Sequence, residues 1–352
     1  MMRQKPAFIL IVHRCDSSQQ PRARHPVRKK LSAFERNVSL AQMENSSSEL
    51  IFVLHGLNET RTKRQIFFGL SILAYVFTIF VNLTLIFTIL LEKILHEPMF
   101  IFLCNLCANS ICGSTSFYPR LLIDLLSDSH VISYTACIIQ IFGISMYLVC
   151  EITNLTVMAY DRYVAICKPL EYHSIMTPHR VGMLVQITWF LSFLEIIVSL
   201  MLAVRLPLCG SRIEKLYCFT WDVVKLSCVD TTLNNIYGYC SSFFHTFQFL
   251  LLITSYIQIT RICIKSQIER SKFMETCLPH LITYGTFAIS LSFDLLSARL
   301  SSDASLQALR NSLSIMYLIV PPVLNPLIYG LKLKQLRRIV WRRFYSKITA
   351  LK

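Results

Sequence analysis

An acid and a base stand side by side in the triplet Asp161-Arg162-Tyr163, which directly follows a long apolar run. The two charged side chains can form an ion pair at the end of a helix, and rearranging that pair would expose a groove at the membrane surface. Glu151 and Glu195 lie inside apolar runs, where an ionisable side chain is expensive to bury. We interpret Glu195 as a packing or interfacial residue, and Glu151 as either functional or structural. The sequence shows no Gly-rich phosphate loop, metal-ligand cluster or nucleophile elbow, so we predict no enzyme and no cofactor.

These residues must be positioned by helices that cross a membrane. Of the 352 residues, 54% are hydrophobic and only 16% are charged, against roughly 25% charged residues in an average soluble chain. A bilayer-spanning helix needs about 20 mostly apolar residues. Seven stretches qualify, the sixth being shorter than the others: 65–91, 98–123, 131–160, 181–204, 231–260, 276–293 and 311–331. We predict an all-α integral membrane protein, a seven-transmembrane helix bundle over residues 65–331; a soluble helical core is the alternative.

Lysine and arginine cluster after the third, fifth and seventh stretches, and the positive-inside rule places that side in the cytoplasm. An odd number of spans then puts the N-terminus outside the cell, in a multi-pass protein of the plasma membrane. Glycosylation sequons at Asn45 and Asn58 agree with an extracellular segment 43–64. For the basic cytoplasmic tail 332–352 we predict a short amphipathic helix on membrane lipid, with a stop-transfer cluster as the alternative. The net charge of +15 therefore indicates a membrane surface and not nucleic acid.

Residues 1–42 contradict this charge pattern, because they carry nine Lys or Arg residues on the side that should be poor in them. Their apolar run, residues 7–12, is too short for a signal peptide. Met43 opens a segment that would itself be a sensible N-terminus. We interpret residues 1–42 as the product of an upstream start codon or of a gene-model error, with a disordered basic arm as the alternative.

Four of the 13 cysteines fall in segments predicted to lie outside the membrane. Cys137 stands at the head of the third span, and Cys209, Cys218 and Cys228 stand in the loop after the fourth span. An extracellular loop is oxidising, so this even number predicts two disulfides, for which three connectivities are open. A zinc site is the competing interpretation, but the loop has no CxxC motif or clustered His. A disulfide to the third span would hold the loop as a lid over the outer mouth of the bundle.

The strongest motif is Met158-Ala159-Tyr160-Asp161-Arg162-Tyr163-Val164-Ala165-Ile166-Cys167-Lys168-Pro169-Leu170. It closely resembles the signature of vertebrate odorant receptors, a branch of the rhodopsin-like G-protein-coupled receptors. The resemblance covers about residues 45–345, and Leu103-Cys104-Asn105-Leu106-Cys107 is most similar to the fish members. Further motifs of the family follow in order: His96-Glu97-Pro98-Met99-Phe100, Ser255-Tyr256, Lys272-Phe273-Met274-Glu275-Thr276-Cys277-Leu278-Pro279-His280 and Pro322-Val323-Leu324-Asn325-Pro326-Leu327-Ile328-Tyr329.

The resemblance implies that a small-molecule odorant binds inside the bundle and that a stimulatory heterotrimeric G protein is activated, which raises cyclic AMP. It leaves open whether a trafficking chaperone is needed. It also implies that Cys137 pairs with Cys218 and that Cys209 pairs with Cys228. The residues that it implies for G-protein coupling and the activation switch are Asp161, Arg162, Tyr163, Tyr256, His280, Asn325, Pro326 and Tyr329.

The chain departs from the family in its polar core. Ser110 stands where the family has an acid in the second span, which puts in doubt a sodium site that would include Glu151. Val81 precedes Asn82 where the family usually has Gly.

The default ligand pocket of such a bundle lies between the third, fifth and sixth spans, under the loop that holds Cys218. Ile144 stands about where amine receptors carry an Asp, so a biogenic amine ligand is disfavoured. Helical spacing predicts these ligand-binding residues, with plain core packing as the alternative for each: Ile144, Ser145, Leu148, Cys240, Ser241, Phe244, Ser292 and Leu295.

An odorant receptor is the leading interpretation of the whole chain. A membrane transporter or channel is the alternative from another class, and it would carry more charged residues at mid-membrane. A non-olfactory chemosensory receptor, or a receptor gene whose product does not mature, would also fit the sequence.

Overall fold

The computed structural model describes residues 50–55, 60–263, 277–300 and 307–332. Within these ranges seven long helices correspond one to one to the seven predicted stretches. They are α1 Arg61–Leu91, α2 Pro98–Leu126, α3 Tyr134–Cys167, α4 Pro178–Val204, α5 Thr232–Cys263, α6 Leu278–Leu300 and α7 Gln307–Lys332. Two short helices, Tyr172–Ile175 and Thr220–Val224, lie in the connections. The interpretation of residues 1–42, the sequons at Asn45 and Asn58 and the predicted tail helix lie outside the described residues.

Local sequence explains where two of the helices begin. Ser133 precedes α3, and its hydroxyl accepts a hydrogen bond from the backbone N–H of Ala136 at 3.3 Å. Thr177 does the same for Arg180 at the start of α4, at 3.4 Å. Such caps satisfy backbone donors that have no partner within the first helical turn. Residues 131–133, which the hydropathy pattern assigns to the third span, form a strand instead.

The long helices have the length and composition of membrane spans. Helices α1 to α5 are long and apolar enough to cross a bilayer, whereas the apolar stretches described in α6 and α7 are shorter, Leu281–Ser292 and Ile315–Gly330. Large apolar side chains cover the outer surface of the bundle, for example Phe190, which is 64% exposed, and Phe243, which is 77% exposed. Such a surface is stable against lipid and not against water.

Helix α3 lies at the centre of the bundle, where it contacts α2, α4, α5 and α6, while α7 packs against α1, α2 and α6. The contact between α2 and α3 depends on Gly113, because a Cβ atom there would overlap the ring of Tyr147. Tyr147 itself is only 1% exposed. A small residue on α2 therefore allows a large aromatic side chain of α3 to fill the core.

Three short strands cover one end of the bundle. They are β1 Ile51–Leu54, β2 Val131–Ser133 and β3 Arg212–Ile213, in the sheet order β2-β1-β3. Strand β1 is antiparallel to β2 and parallel to β3. The sheet thus joins the segment before α1, the start of α3 and the loop between α4 and α5. We call this end the disulfide end, and the opposite end, where α3 finishes, the Arg162 end.

Candidate functional site

A cavity of about 390 Å³ lies among α3, α4, α5 and α6, on the side toward the disulfide end. Its volume falls within the range of about 300–1,000 Å³ that is typical of small-molecule pockets. The loop between α4 and α5, with its short helix Thr220–Val224, forms part of the wall. Four of the predicted ligand-binding residues line the cavity: Ser145, Leu148, Ser241 and Ser292.

The structure places other predicted ligand-binding residues elsewhere. Ile144 is fully buried in a cluster with Phe117 and Tyr217, one position away from the cavity wall. Cys240 and Phe244 are exposed on the outer surface of α5. Residues one position apart on a helix are rotated by about 100°, so the adjacent residues of α5 face the cavity and these two do not. Leu295 lies in α6 at a position whose side chain the structure does not describe.

Glu195 is a cavity residue, which corrects its interpretation as a packing or interfacial residue. One oxygen of its carboxylate, Oε1, accepts a hydrogen bond from the Ser241 hydroxyl at 2.5 Å and lies 2.9 Å from Nε2 of His245. The other ring nitrogen of His245 lies 3.0 Å from Oε1 of Gln248. All of these groups except Gln248 line the cavity. Ser241 and His245 are four residues apart, so they lie on the same face of α5. This spacing is the feature of the sequence that could have indicated a polar group facing the cavity.

The loop between α4 and α5 is fixed over the cavity as a lid, which we define as residues 205–231. A disulfide joins Cys218 of the lid to Cys137 of α3, and a second joins Cys209 to Cys228 within the lid. This is the connectivity that the resemblance implies. The backbone N–H of Cys218 also donates to Oε1 of Gln140 on α3, at 2.9 Å.

Charges within the lid pair with each other. Nζ of Lys215 lies 3.7 Å from Oδ2 of Asp222, and it also lies over the rings of Tyr217 and Phe219. Lys215, Asp222 and Phe219 all line the cavity. The lid therefore presents an ion pair and aromatic rings to a molecule in the cavity.

Hydrogen bonds connect the lid to the centre of the bundle. The hydroxyl of Tyr217 in the lid bonds the hydroxyl of Tyr317 on α7. The hydroxyl of Tyr147 on α3 donates to the backbone carbonyl of the same Tyr317, at 3.0 Å. The backbone carbonyl of Tyr147 accepts from the side-chain amide of Asn109 on α2, at 3.0 Å.

The same amide of Asn109 extends this run of hydrogen bonds to Glu151, which lies one helical turn after Tyr147 in α3. Asn109 donates to Oε2 of Glu151 at 2.9 Å, and Asn325 of α7 donates to Oε1 at 2.8 Å. Glu151 and Asn325 are both fully buried. Ser110, which stands in place of the expected acid, is also buried, but its hydroxyl makes no hydrogen bond with the described residues. Its neighbour Asn109 provides the contact to Glu151 instead.

At the Arg162 end, the carboxylate of Asp161 holds two partners. Nε of Arg162 donates to Oδ2 at 2.9 Å, and Nη2 of Arg162 donates to the same oxygen. The hydroxyl of Tyr172, in the short helix after α3, donates to Oδ1 at 2.8 Å. Burial, and then the negative charge of Asp161, raise the pKa of Tyr172 well above its ordinary value, so this hydroxyl stays protonated as a donor.

Other predicted switch residues surround this pair. Tyr256 of α5 and Tyr329 of α7 are buried in one cluster, against which Tyr163 packs. Pro326 lies inside α7. The side chain of His280 is outside the described residues. Tyr256, Tyr329 and Tyr163 thus lie in one cluster, whereas Asn325 lies further along the bundle, at Glu151.

Comparison with known proteins agrees with this architecture. The olfactory receptor family matches residues 71–347 of the chain. Olfactory receptor 9S13 of Mus musculus is 35% identical over 317 residues, which cover 88% of this chain and 92% of that protein. Olfactory receptor 7D2 of Homo sapiens is 34% identical over 301 residues, 83% of this chain and 94% of that protein.

The helices, the cavity with its lid and these relatives define the class of the protein: it is a multi-pass membrane receptor with a seven-transmembrane bundle, and it is not an enzyme. More specifically, the chain belongs to the olfactory receptor family. The prediction made from the motifs is confirmed at this level.

Proposed function

We propose that this chain is an odorant receptor of the plasma membrane. A small organic molecule binds in the cavity beneath the lid, the bundle repacks, and a stimulatory heterotrimeric G protein is activated at the Arg162 end. The observation that carries the proposal is the run of hydrogen bonds from Tyr217 in the lid to Asn325 in α7. Because Tyr217 belongs to the lid, a ligand that moves the lid disturbs hydrogen bonds that reach the middle of α7.

The proposed output is at the opposite end of the same helices. The carboxylate of Asp161 accepts hydrogen bonds from both the guanidinium of Arg162 and the hydroxyl of Tyr172, so in this state Arg162 is held by Asp161. Release of Arg162 would make a cation available at the end of the bundle for an intracellular partner. A transporter is a weaker candidate, because Glu151 and Glu195, the two acids well inside the predicted spans, are held by donors from neighbouring helices.

The proposed orientation follows the distribution of Lys and Arg in the sequence. The disulfide end faces the outside of the cell, where the two disulfides are stable, and the Arg162 end faces the cytoplasm. The basic tail then lies next to the anionic inner leaflet. A trafficking chaperone is a further proposed partner, in delivery to the surface.

The test is a cyclic AMP assay on the full chain at the surface of cultured cells, challenged with mixtures of volatile odorants and of amino acids. We expect a rise with at least one mixture that Arg162→Ala abolishes at equal surface expression. Arg180→Ala is the matched control, because Arg180 is exposed near the same end and its side chain, among the described residues, bonds only the backbone carbonyl of Ile175. A rise that Arg162→Ala leaves intact would contradict the proposed switch, and a response to amino acids alone would favour a non-olfactory chemosensory receptor.

A further inference from the structure

Glu195 keeps one side of its carboxylate open to the cavity. Its Oε1 atom takes both hydrogen bonds, from Ser241 and from His245. Its Oε2 atom accepts no hydrogen bond from the described residues. This atom is not fully buried, in contrast to the unpaired polar atoms in the core of the bundle. The side chain retains 16% of its exposure and lines the cavity. A residue that lines the cavity therefore carries a carboxylate oxygen with no hydrogen bond from the described residues.

His245 is not open in the same way. Its Nε2 atom faces Glu195 and its Nδ1 atom faces the amide of Gln248, so both ring nitrogens are occupied. The amide of Gln248 can turn its oxygen toward the ring and accept from a charged imidazole, or turn its NH2 group toward the ring and donate to a neutral one. In both cases Glu195 has an unfilled acceptor and His245 has no spare donor. A ligand with a negative charge would meet the open carboxylate oxygen and find no spare donor on His245.

The rest of the cavity offers apolar surface and a second, self-paired set of charges. Leu148, Ile152 and Phe287 line it with hydrocarbon. Lys215 and Asp222 of the lid lie 3.7 Å apart and offset each other's charge. Glu195 is also paired, with His245 at 2.9 Å, but its Oε2 atom lies outside that pair, whereas Oδ2 of Asp222 is buried. Among the described residues that line the cavity, Glu195 is accordingly the acid that offers an open oxygen to a ligand.

A carboxylate oxygen in an apolar cavity binds best to a charged donor, because the low local dielectric strengthens the attraction and the hydrogen bond is charge-assisted. The complementary ligand has an ammonium group at one end and a hydrocarbon body that fits a cavity of about 390 Å³. We propose that Glu195 is the anchor for a small aliphatic or aromatic amine, whose ammonium group donates to Oε2 while its hydrocarbon body fills the cavity. This inference rests on the proposed function, and it reverses the expectation against amines that Ile144 suggested.

The experiment compares isosteric probes on the full chain at the cell surface. The probes are hexylamine with 1-hexanol and hexanoic acid, and 2-phenylethylamine with 2-phenylethanol. We expect cyclic AMP responses to the amines at lower concentrations than to the alcohols, and none to the acid. Glu195→Gln keeps the shape of the side chain and removes its charge, and it should raise the half-maximal concentration of the amines about 10- to 100-fold while shifting the alcohols about threefold or less.

Three further variants separate the anchor from a general loss of charge. Glu195→Asp keeps the charge and should recover part of the preference for amines. Glu171→Gln makes the same chemical change at an exposed site near the Arg162 end and should leave the preference intact. Asp222→Asn tests the other acid of the cavity wall. If it removes the preference for amines as fully as Glu195→Gln does, or if Glu195→Gln weakens amines and alcohols equally, the proposal is wrong.

A binding measurement keeps this inference distinct from the proposed function. Purified receptor in detergent is heated with and without hexylamine, and the amine should raise the melting temperature of the wild type but not of Glu195→Gln. Stabilisation without any cyclic AMP response would support the amine site and overturn the proposed stimulatory coupling. Cyclic AMP responses to neutral odorants, with no amine response and no stabilisation by hexylamine, would overturn the amine site and leave the receptor function standing. Absence of both signals would count against both.

Discussion

Asn82 of α1 donates its side-chain amide to the backbone carbonyl of Pro322 in α7, at 2.8 Å. Pro322 lies four residues before Pro326, and Pro326 has no backbone N–H to donate to that carbonyl. The hydrogen bond that is missing from the ladder of α7 is thus replaced by a side chain from another helix. The same amide also donates to the carbonyl of Thr78, so it is held on its own helix as well. This explains how a proline inside a membrane helix leaves no unsatisfied carbonyl at this point.

The first prediction is that Asn82→Leu destabilises the receptor through Pro322. The substitution leaves a buried carbonyl without a donor, which costs about 1–3 kcal/mol. Thermal unfolding of the purified receptor measures the loss. In a Pro326→Ala background the residue at 326 regains an N–H, and the cost of Asn82→Leu should fall to about half or less, as a double-mutant cycle can show. Equal costs in the two backgrounds would mean that the bond from Asn82 does not compensate for Pro326.

A second prediction concerns the contact between α2 and α3. Gly113→Ala adds a Cβ atom that overlaps the ring of Tyr147. The ring cannot move away freely, because Tyr147 is buried in the core. We expect a loss of about 1–3 kcal/mol in the stability of the receptor. Surface expression and thermal unfolding are the measurements.

Gly182→Ala is the matched control for Gly113→Ala. Gly182 lies in α4, and an added Cβ atom there meets nothing within 4 Å. Alanine is the better helix former, so this change should be neutral or stabilise the receptor by up to about 1 kcal/mol. A similar loss at both positions would show that glycine is needed for a reason other than the space beside Tyr147.

The sequence predicts the long helices well, because uncharged runs of sufficient length have few other stable structures. It predicts the cavity wall only in part, because the face that a helix turns inward depends on its rotation. On α5 Ser241 faces the cavity as expected, whereas Cys240 and Phe244 are exposed. The role of Glu195 was missed because its partners, Ser241 and His245, come from another helix. The pairing of β1 with β2 and β3 joins distant segments, and no local pattern in the sequence indicates it.

A third prediction concerns the hydrogen bond of Tyr172 to Asp161. Tyr172→Phe removes one donor from the carboxylate that also holds Arg162, while the aromatic ring stays in place. Loss of a hydrogen bond to a charged group costs about 1.5–3 kcal/mol. If this bond stabilises the resting state, cyclic AMP in the absence of ligand should rise several-fold at equal surface expression.

Tyr160→Phe is the control for Tyr172→Phe. Tyr160 lies two residues before Arg162, but its side chain is 45% exposed on the outer surface. The same loss of a hydroxyl there should leave the ligand-free signal unchanged. A signal from Tyr172→Phe that equals the wild type would show that Tyr172 does not hold Asp161 in the resting receptor.

The last prediction concerns sodium. Both carboxylate oxygens of Glu151 already accept amide hydrogen bonds, from Asn109 and from Asn325, and Ser110 supplies no second negative charge. A monovalent cation at this site would have to compete with those amides for the oxygens of a single carboxylate. Replacing sodium by N-methylglucamine at constant ionic strength should therefore change the half-maximal ligand concentration by less than about twofold.

Glu151→Gln provides the comparison for that measurement. A glutamine side chain must turn its NH2 group toward one of the two amide donors, so it loses one hydrogen bond and gains a repulsive contact, at a cost of about 1–3 kcal/mol. The thermal stability should fall, with the same value in sodium and in N-methylglucamine. A stabilisation by sodium that is present in the wild type and absent in Glu151→Gln would show instead that an ion binds beside Glu151, and that the two amides yield to it.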